Sequence, residues 1–313
     1  MASSTLTPPP AAARARRTGS ARPGRRGIAR WAVPLAPAVL LLIMFVAGPI
    51  VWSVWAAFTN AALTGAAAAN TEFVGFENFQ NLLADPAVWN ATVLTLIFLF
   101  GSAIVGQNLL GLALALLMQR RNRVTRAFVS TVVVGAWVLP ETVTAFTWAA
   151  FLGREGSLNT ALAALGLPPQ NWMYAAPIFA VILANIWKGT AFSMMVYSAA
   201  LQEVPPDLKE SARVDGASGV QTLRHVTLPL IRRSILTNLI LITLQTLQVF
   251  TLIYIMTGGG PGTRSETLPV LMYEQAFDFG HLGYGTAIAL VLLAVAGLVS
   301  AVYVRALRAE GSV

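Results

Sequence analysis

Residues 90–118 read NATVLTLIFLFGSAIVGQNLLGLALALLM. No charged side chain interrupts them; the nearest are Asp85 before and Arg120 after. A helix needs about 20 apolar residues to cross the hydrocarbon of a bilayer, so this stretch reads as a transmembrane helix. Outward from it, charge-free intervals recur along the chain. Spans are expected at about 33–57, 90–118, 127–152, 174–200, 234–256 and 283–304. The third is interrupted only by Glu141 and the fourth only by Lys188. The fold class is therefore all-α, a polytopic membrane protein with six transmembrane helices.

Composition agrees. Of 313 residues, 56% are hydrophobic and 11% charged, against about 25% charged in a soluble domain. Mean hydropathy is +0.66. Too few charges remain to coat a water-facing surface, whereas a lipid-facing one needs none. The net charge of +8 could suggest nucleic acid, but the basic residues sit at the ends of apolar segments. They read as orientation against an anionic inner leaflet, with no nucleic-acid partner.

Residues 1–30 carry Pro8, Pro9 and Pro10 and then seven arginines, which reads as a disordered, basic cytoplasmic tail. The apolar stretch after it is longer than a signal-peptide core and is expected to remain as the first span. With the N-terminus inside, segments 1–30, 119–126, 202–233 and 305–313 hold 18 Lys and Arg, and the outer segments hold two, Arg154 and Arg264. The positive-inside rule then places both termini in the cytoplasm of a bacterial inner membrane. The expected organisation is the tail 1–30, a first helix and outer loop 31–89, a core of five spans over 90–305, and a short cytoplasmic tail 306–313.

Catalytic constellations are not expected. Neither Lys188 nor Lys209 follows a glycine, so no phosphate-cradling loop ends in Gly-Lys. There is no cysteine, and the two histidines, His225 and His281, fall on opposite sides of the membrane. No metal, cofactor or enzymatic activity is expected. Transport, structure or signalling remain.

Between spans four and five the chain reads Glu203-Val204-Pro205-Pro206-Asp207-Leu208-Lys209-Glu210-Ser211-Ala212-Arg213-Val214-Asp215-Gly216-Ala217 and later Val226-Thr227-Leu228-Pro229. The prolines suit a helix start, and Asp207 and Glu210 lie near its positive end. Gly216 can take the left-handed conformation that stops it. A second helix is expected from about 218 to 226, with Pro229 interrupting the way into span five. An ordinary amphipathic loop at the interface is an equal reading of these residues.

The segment resembles the cytoplasmic signature of permeases of binding-protein-dependent ABC importers: Glu-Ala-Ala, then Gly, a hydrophobic residue and Leu-Pro. Here it is supplied by Glu210-Ser211-Ala212, Asp215-Gly216-Ala217, Val226, Leu228 and Pro229, with Ser211 for the usual alanine and Val226 for the usual isoleucine. Phe73 to Phe79, Asp85 to Asn90, Leu139-Pro140, Gly156-Ser157-Leu158-Asn159 and Thr257 to Gly262 are similar to the maltose- and glycerol-phosphate-type sugar permeases. The resemblance covers about 33–305. It implies that 206–219 is a coupling helix seated on an ATPase subunit. It also implies a heterodimer with a second permease, two ATPase subunits and an extracytoplasmic sugar-binding protein. Gly259, Gly260 and Pro261 read as a structural turn that a binding protein can touch.

Within the spans, Asn238, Gln245 and Gln248 fall on one helical face, which suits either interhelical hydrogen bonding or a path for a neutral sugar. Trp148, Trp187, Tyr197, Phe250 and Tyr254 could add aromatic rings. Glu141 and Lys188 lie about 22 and 20 Å of helical rise from the inner ends of their spans. At that common depth they form either a structural ion pair or part of a cargo path.

Overall fold

The computed structural model describes residues 25–310. Residues 1–24, most of the expected disordered tail, lie outside it, as do 311–313. Arg25–Arg30 are already helical, so the expected tail boundary at 30 is corrected: the first helix begins before the apolar run. The described residues divide into two compact units, the second beginning at Ser53.

Among the described residues the regular elements are helices, with one isolated β-bridge between Thr59 and Phe73. Helix α1 runs from Arg25 through a π turn at Ile43–Ala47 to Ala56, its apolar span being Pro34–Ala56, and is followed by the short α2 (Glu77–Ala84). Next come α3 (Pro86–Gln119), α4 (Arg123–Val138) and α5 (Glu141–Leu152). Then follow α6 (Pro177–Gln202), α7 (Pro206–Val214), α8 (Gly219–Leu247) and α9 (Thr251–Thr257). Last are α10 (Leu268–Tyr273), which runs into a π turn at Glu274–Asp278, and α11 (Leu282–Glu310).

Among the described residues five helices are long and apolar enough to cross a membrane: α1, α3, α6, α8 and α11. The expected third span is not one straight helix. It breaks at Leu139-Pro140, and the following segment turns away by 106°. Pro140 cannot donate to the helical ladder, and it disfavours the helical conformation of the residue before it; Leu139 is extended at ψ 137°. The expected fifth span also divides. α8 ends at Leu247, three residues follow outside helix, and α9 resumes at Thr251. Conversely, Pro229 does not interrupt α8. A π turn over Leu223–Thr227 lies just ahead of it, re-spacing the ladder so that the helix continues through the proline.

α6 is the central helix, packing against α3, α4, α5, α8 and α9. Its approach to α3 depends on missing side chains. A methyl group at Gly111 would overlap Ser193, one at Gly106 would overlap Ile186, and one at Gly189 would overlap Gln107. Without a hydrophobic force between helices in lipid, such close backbone contact supplies the dispersion energy that holds them. Phe98, Val181, Leu252, Ile253 and Val270 form the core between α3, α6, α9 and α10, and Met194, Tyr197, Leu201, Val204 and Ile231 form another toward α7. Outward, Val93, Ile97, Phe100, Leu293, Leu298 and Val302 are exposed, an apolar surface larger than water tolerates and suited to lipid or further helices.

Candidate functional site

α7 is built to stand alone. Pro205 is extended and Pro206 opens the helix; Asp207 occupies the first turn and Arg213 the last, each matching the helix dipole. At its end Gly216 adopts φ +81°. The Gly216 N–H donates to Arg213 O at 3.0 Å and Ala217 N–H to Ala212 O at 2.9 Å, the paired bonds that close a helix with glycine. Two residues on, Ser218 caps α8 reciprocally. Its hydroxyl accepts from Gln221 N–H at 3.3 Å and its own N–H donates to Gln221 Oε1 at 2.7 Å. No α7 residue is buried. Glu210, Ser211, Asp215 and Gly216 are exposed, and Ala212 and Ala217 half-buried. Leu228 packs on the core near α7, whereas Pro229 is exposed. The signature residues therefore divide into a presenting group, 210–217, and an anchoring one at Leu228.

Inside the bundle Lys188 Nζ lies 3.6 Å from Glu141 Oε1, so the two in-span charges meet. Glu141 is the first residue of α5, just after the break at Leu139-Pro140. Trp148, two turns along α5 from Glu141, meets Trp187, the neighbour of Lys188 in the chain, with the rings edge to face at 6.1 Å. At the second break, Gln245 and Gln248 are exposed. Phe250 begins a ladder of rings: Phe250 to Tyr254 at 5.0 Å, Tyr254 to Tyr273 at 5.1 Å and Tyr273 to Phe277 at 5.2 Å. α5 and α9, the half-helices that follow the two breaks, pack on each other.

Asn238 does not share the exposure of Gln245 and Gln248. It is fully buried. Its Nδ2 donates toward Asn108 Oδ1 and Ser193 Oγ, each at 3.0 Å, and Tyr197 Oη at 3.1 Å, and Tyr197 also donates to Asn108. The cluster ties α3, α6 and α8 together. A second strut runs from Asn185 Nδ2 to Ser102 Oγ at 2.9 Å and from Gln107 Nε2 to Asn185 O at 3.2 Å. Of the amide face read from sequence, Asn238 holds helices together while the two glutamines reach open space; Tyr197, expected as a ring of the path, is buried in the Asn238 cluster.

On the opposite side from α7, the glycine run forms a tied turn. Gly258, Gly259 and Gly262 have positive φ, and the Ser265 hydroxyl donates to Gly260 O at 2.9 Å while its N–H donates to Gly259 O. Gly259 is buried against Glu266 and Val270. It is thus not open to a partner, which corrects its place in the expected contact; Gly260 and Pro261 are half-buried, and the exposed tip is Gly262–Arg264. Behind this turn, Glu266 is 4% exposed. Burial, a shared hydrogen bond with Glu274 and the nearby Asp85 raise its pKa to about 7. Asp85 caps α3 through Ala87 N–H and accepts from Tyr284 Oη at 2.8 Å.

Sequence reasoning missed Asn108, Ser193, Tyr273, Phe277 and Glu266. A signal existed for the first: Gln107-Asn108 is an amide pair in the middle of a charge-free span. Tyr273 gave none, because its meeting with Phe250 and Tyr254 depends on how the chain folds back after α9, and Phe277 joins the ladder only through Tyr273.

A multi-pass helical bundle with broken inner helices and a self-capped helix standing out at one end defines a membrane transport component. Among the described residues no group of three or more His, Cys, Asp or Glu could hold a metal. The comparisons agree. Binding-protein-dependent transport system inner membrane components match residues 86–309, and the chain belongs to that family. The sulfoquinovosyl glycerol transport system permease protein SmoG of Agrobacterium fabrum is 36% identical over 288 residues, 88% of this chain and 89% of that protein. The trehalose/maltose transport system permease protein MalF of Thermococcus litoralis is 31% identical, covering 87% and 91%. A bacterial ABC transporter involved in import of the acidic polysaccharide alginate superposes with a TM-score of 0.77 at 24% identity, covering 91% of this chain and 96% of that one. That likeness shows the fold.

Proposed function

We propose that this chain is one permease subunit of an ATP-driven, binding-protein-dependent importer of a sugar, working as a heterodimer with a second permease. The complex holds two ATPase subunits, one of which seats on α7 and its Glu210, Ser211, Ala212, Asp215, Gly216 and Ala217. A loaded extracytoplasmic binding protein meets the turn at Gly260–Arg264. The observation that carries the reading is α7 itself: a helix with no buried residue, closed at its C-terminal end by the backbone hydrogen bonds of Gly216 and Ala217. A helix that adds nothing to the core and keeps its shape without neighbours is suited to being gripped by another protein. Joined to α8 by the turn at Gly216–Ser218 and packed on its first turns, it transmits that grip to the span whose outer end breaks at Gln248.

The cargo path in this reading runs along Glu141, Lys188, Trp148, Gln245, Gln248 and Tyr254. Uncharged amides bond hydroxyls, and ring faces stack on the apolar C–H faces of a pyranose. The breaks in the inner helices suit such a path, since irregular backbone at membrane depth is tolerated where it lines a cavity. Both termini are cytoplasmic in this account, from the 18-to-2 distribution of Lys and Arg. The test is uptake of labelled maltose, trehalose and related glycosides into proteoliposomes holding the whole complex. Uptake that needs ATP, both permeases and the binding protein supports the proposal. Uptake that persists on an ion gradient without the ATPases overturns it.

A further inference from the structure

Where α3 ends and the chain turns into α4, a cavity of about 730 Å³ opens between that turn and α7. Arg120 and Arg121 line it from the turn, Lys209 and Arg213 from α7, and Leu117 and Leu223 from the adjoining helices. Lys209 and Arg213 are one helical turn apart and so share a face. No Asp or Glu lines the cavity, and among the described residues no carboxylate forms a salt bridge with any of the four cations. Arg126, close by, is turned to Met118 O and Gln119 O and adds no counter-charge. Four cations gathered round one space repel one another unless an anion sits among them.

The other lining residues say which anion. Leu117 is 52% exposed and belongs to the last turn of the apolar span Pro86–Gln119. The cavity therefore straddles the membrane surface, with an apolar wall toward the hydrocarbon and a cationic wall beyond it. We propose that this cavity binds the phosphate headgroup of an anionic inner-leaflet phospholipid, with the head of its acyl chain along Leu117. Guanidinium groups match phosphate oxygens in bidentate geometry, and basic pockets beside transmembrane helices on the cytoplasmic side take such headgroups. A free phosphate or an acidic peptide would satisfy the cations and leave the leucines uncovered. The site joins two parts that otherwise repel, the α3–α4 turn and α7, so the bound lipid braces the helix that the ATPase grips. It rests on the orientation proposed above, which puts this end of the bundle in the cytoplasm.

The experiment uses the whole complex in nanodiscs of phosphatidylcholine, alone or mixed with phosphatidylglycerol. Native mass spectrometry reads the phosphatidylglycerol retained, and ATP hydrolysis stimulated by the binding protein reads the effect on α7. Each charge removed near the surface weakens anionic-lipid binding about fivefold. Replacing both arginines (Arg120→Gln with Arg121→Gln) should therefore lower retention by more than tenfold and abolish any gain in hydrolysis on adding phosphatidylglycerol. The double lysine variant at these positions, which keeps the charge, should retain most of both. Equal retention by wild type and the glutamine variant overturns the proposal. So does restoration of hydrolysis in pure phosphatidylcholine by inorganic phosphate, which points to a free anion. Loss of the ATPase subunits from the glutamine variant in both lipids also overturns it and points to an acidic protein contact. Maleimide labelling of Thr125→Cys reports the orientation separately: labelling from outside refutes that reading whatever the lipid result.

Discussion

Removing Glu141 and removing Lys188 should not cost the same. At 3.6 Å two unit charges attract by about 5 kcal/mol at an effective dielectric constant of about 20, before the desolvation of both is subtracted. The Lys188 side chain is 16% exposed and that of Glu141 38%. Glu141→Gln strands an ammonium that is mostly enclosed at membrane depth, at a cost of about 2–3 kcal/mol. Lys188→Met leaves a carboxylate that still reaches open space, and costs about 1 kcal/mol. With both replaced no charge is stranded and the loss returns to about 1 kcal/mol, so the double-mutant cycle shows a coupling of about 2 kcal/mol. The assay is equilibrium unfolding of the purified permease in mixed micelles. Additive losses, or a larger loss from Lys188→Met than from Glu141→Gln, would refute the pairing or the burial asymmetry behind it.

Three further outcomes are expected. The chain has no native cysteine, so Ala68→Cys in the exposed outer loop should react with an impermeant maleimide in intact cells and Thr125→Cys only after lysis; the reverse pattern inverts the topology. Glu266 holds its proton up to about pH 7, whereas an unfolded glutamate releases it near 4.3. The stability it contributes is thus complete below about pH 4.3, falls by up to about 1.4 kcal/mol per pH unit as pH rises to about 7, and is flat above. Melting temperatures at stepped pH should show that slope, and Glu266→Gln should remove it; an unchanged slope in the variant assigns it elsewhere. Gly111→Val should overpack the α3–α6 crossing by about 1–3 kcal/mol, and a wild-type melting temperature would mean that the helices approach less closely than described.

The spans were legible because lipid permits so few charges that each interval between them marks a helix. The stretch 203–218 was legible too: proline, acid, glycine and serine each have one favoured place at a helix end, and Gly216 and Ser218 occupy theirs, whereas the helix expected over 218–226 runs on through Pro229 into the span. The two breaks were not. Leu139-Pro140 fell inside one expected span, and nothing at Gln248–Phe250 stops a helix by propensity. Pro140 permits the first break without setting its 106° turn, and the half-helices after the two breaks, α5 and α9, pack on each other across about 110 positions of sequence. The amide face divided for the same reason. Asn238, Gln245 and Gln248 share a helical side by spacing, yet Asn238 meets α3 and α6 while the glutamines lie where the helix ends. Pairing of Glu141 with Lys188 was open in the sequence because equal depth does not say which helices are neighbours.

The most direct test of the whole account is ATP-driven sugar uptake by the reconstituted complex carrying Gly216→Trp. Gly216 sits at φ +81° with open space beyond its Cα, so a bulky side chain strains the end of α7, by about 1–2 kcal/mol for the left-handed conformation, and projects from its presenting face. The account predicts that the variant reaches the membrane and assembles with its partner permease while uptake is lost and the binding protein no longer stimulates ATP hydrolysis. Wild-type uptake by Gly216→Trp would contradict it.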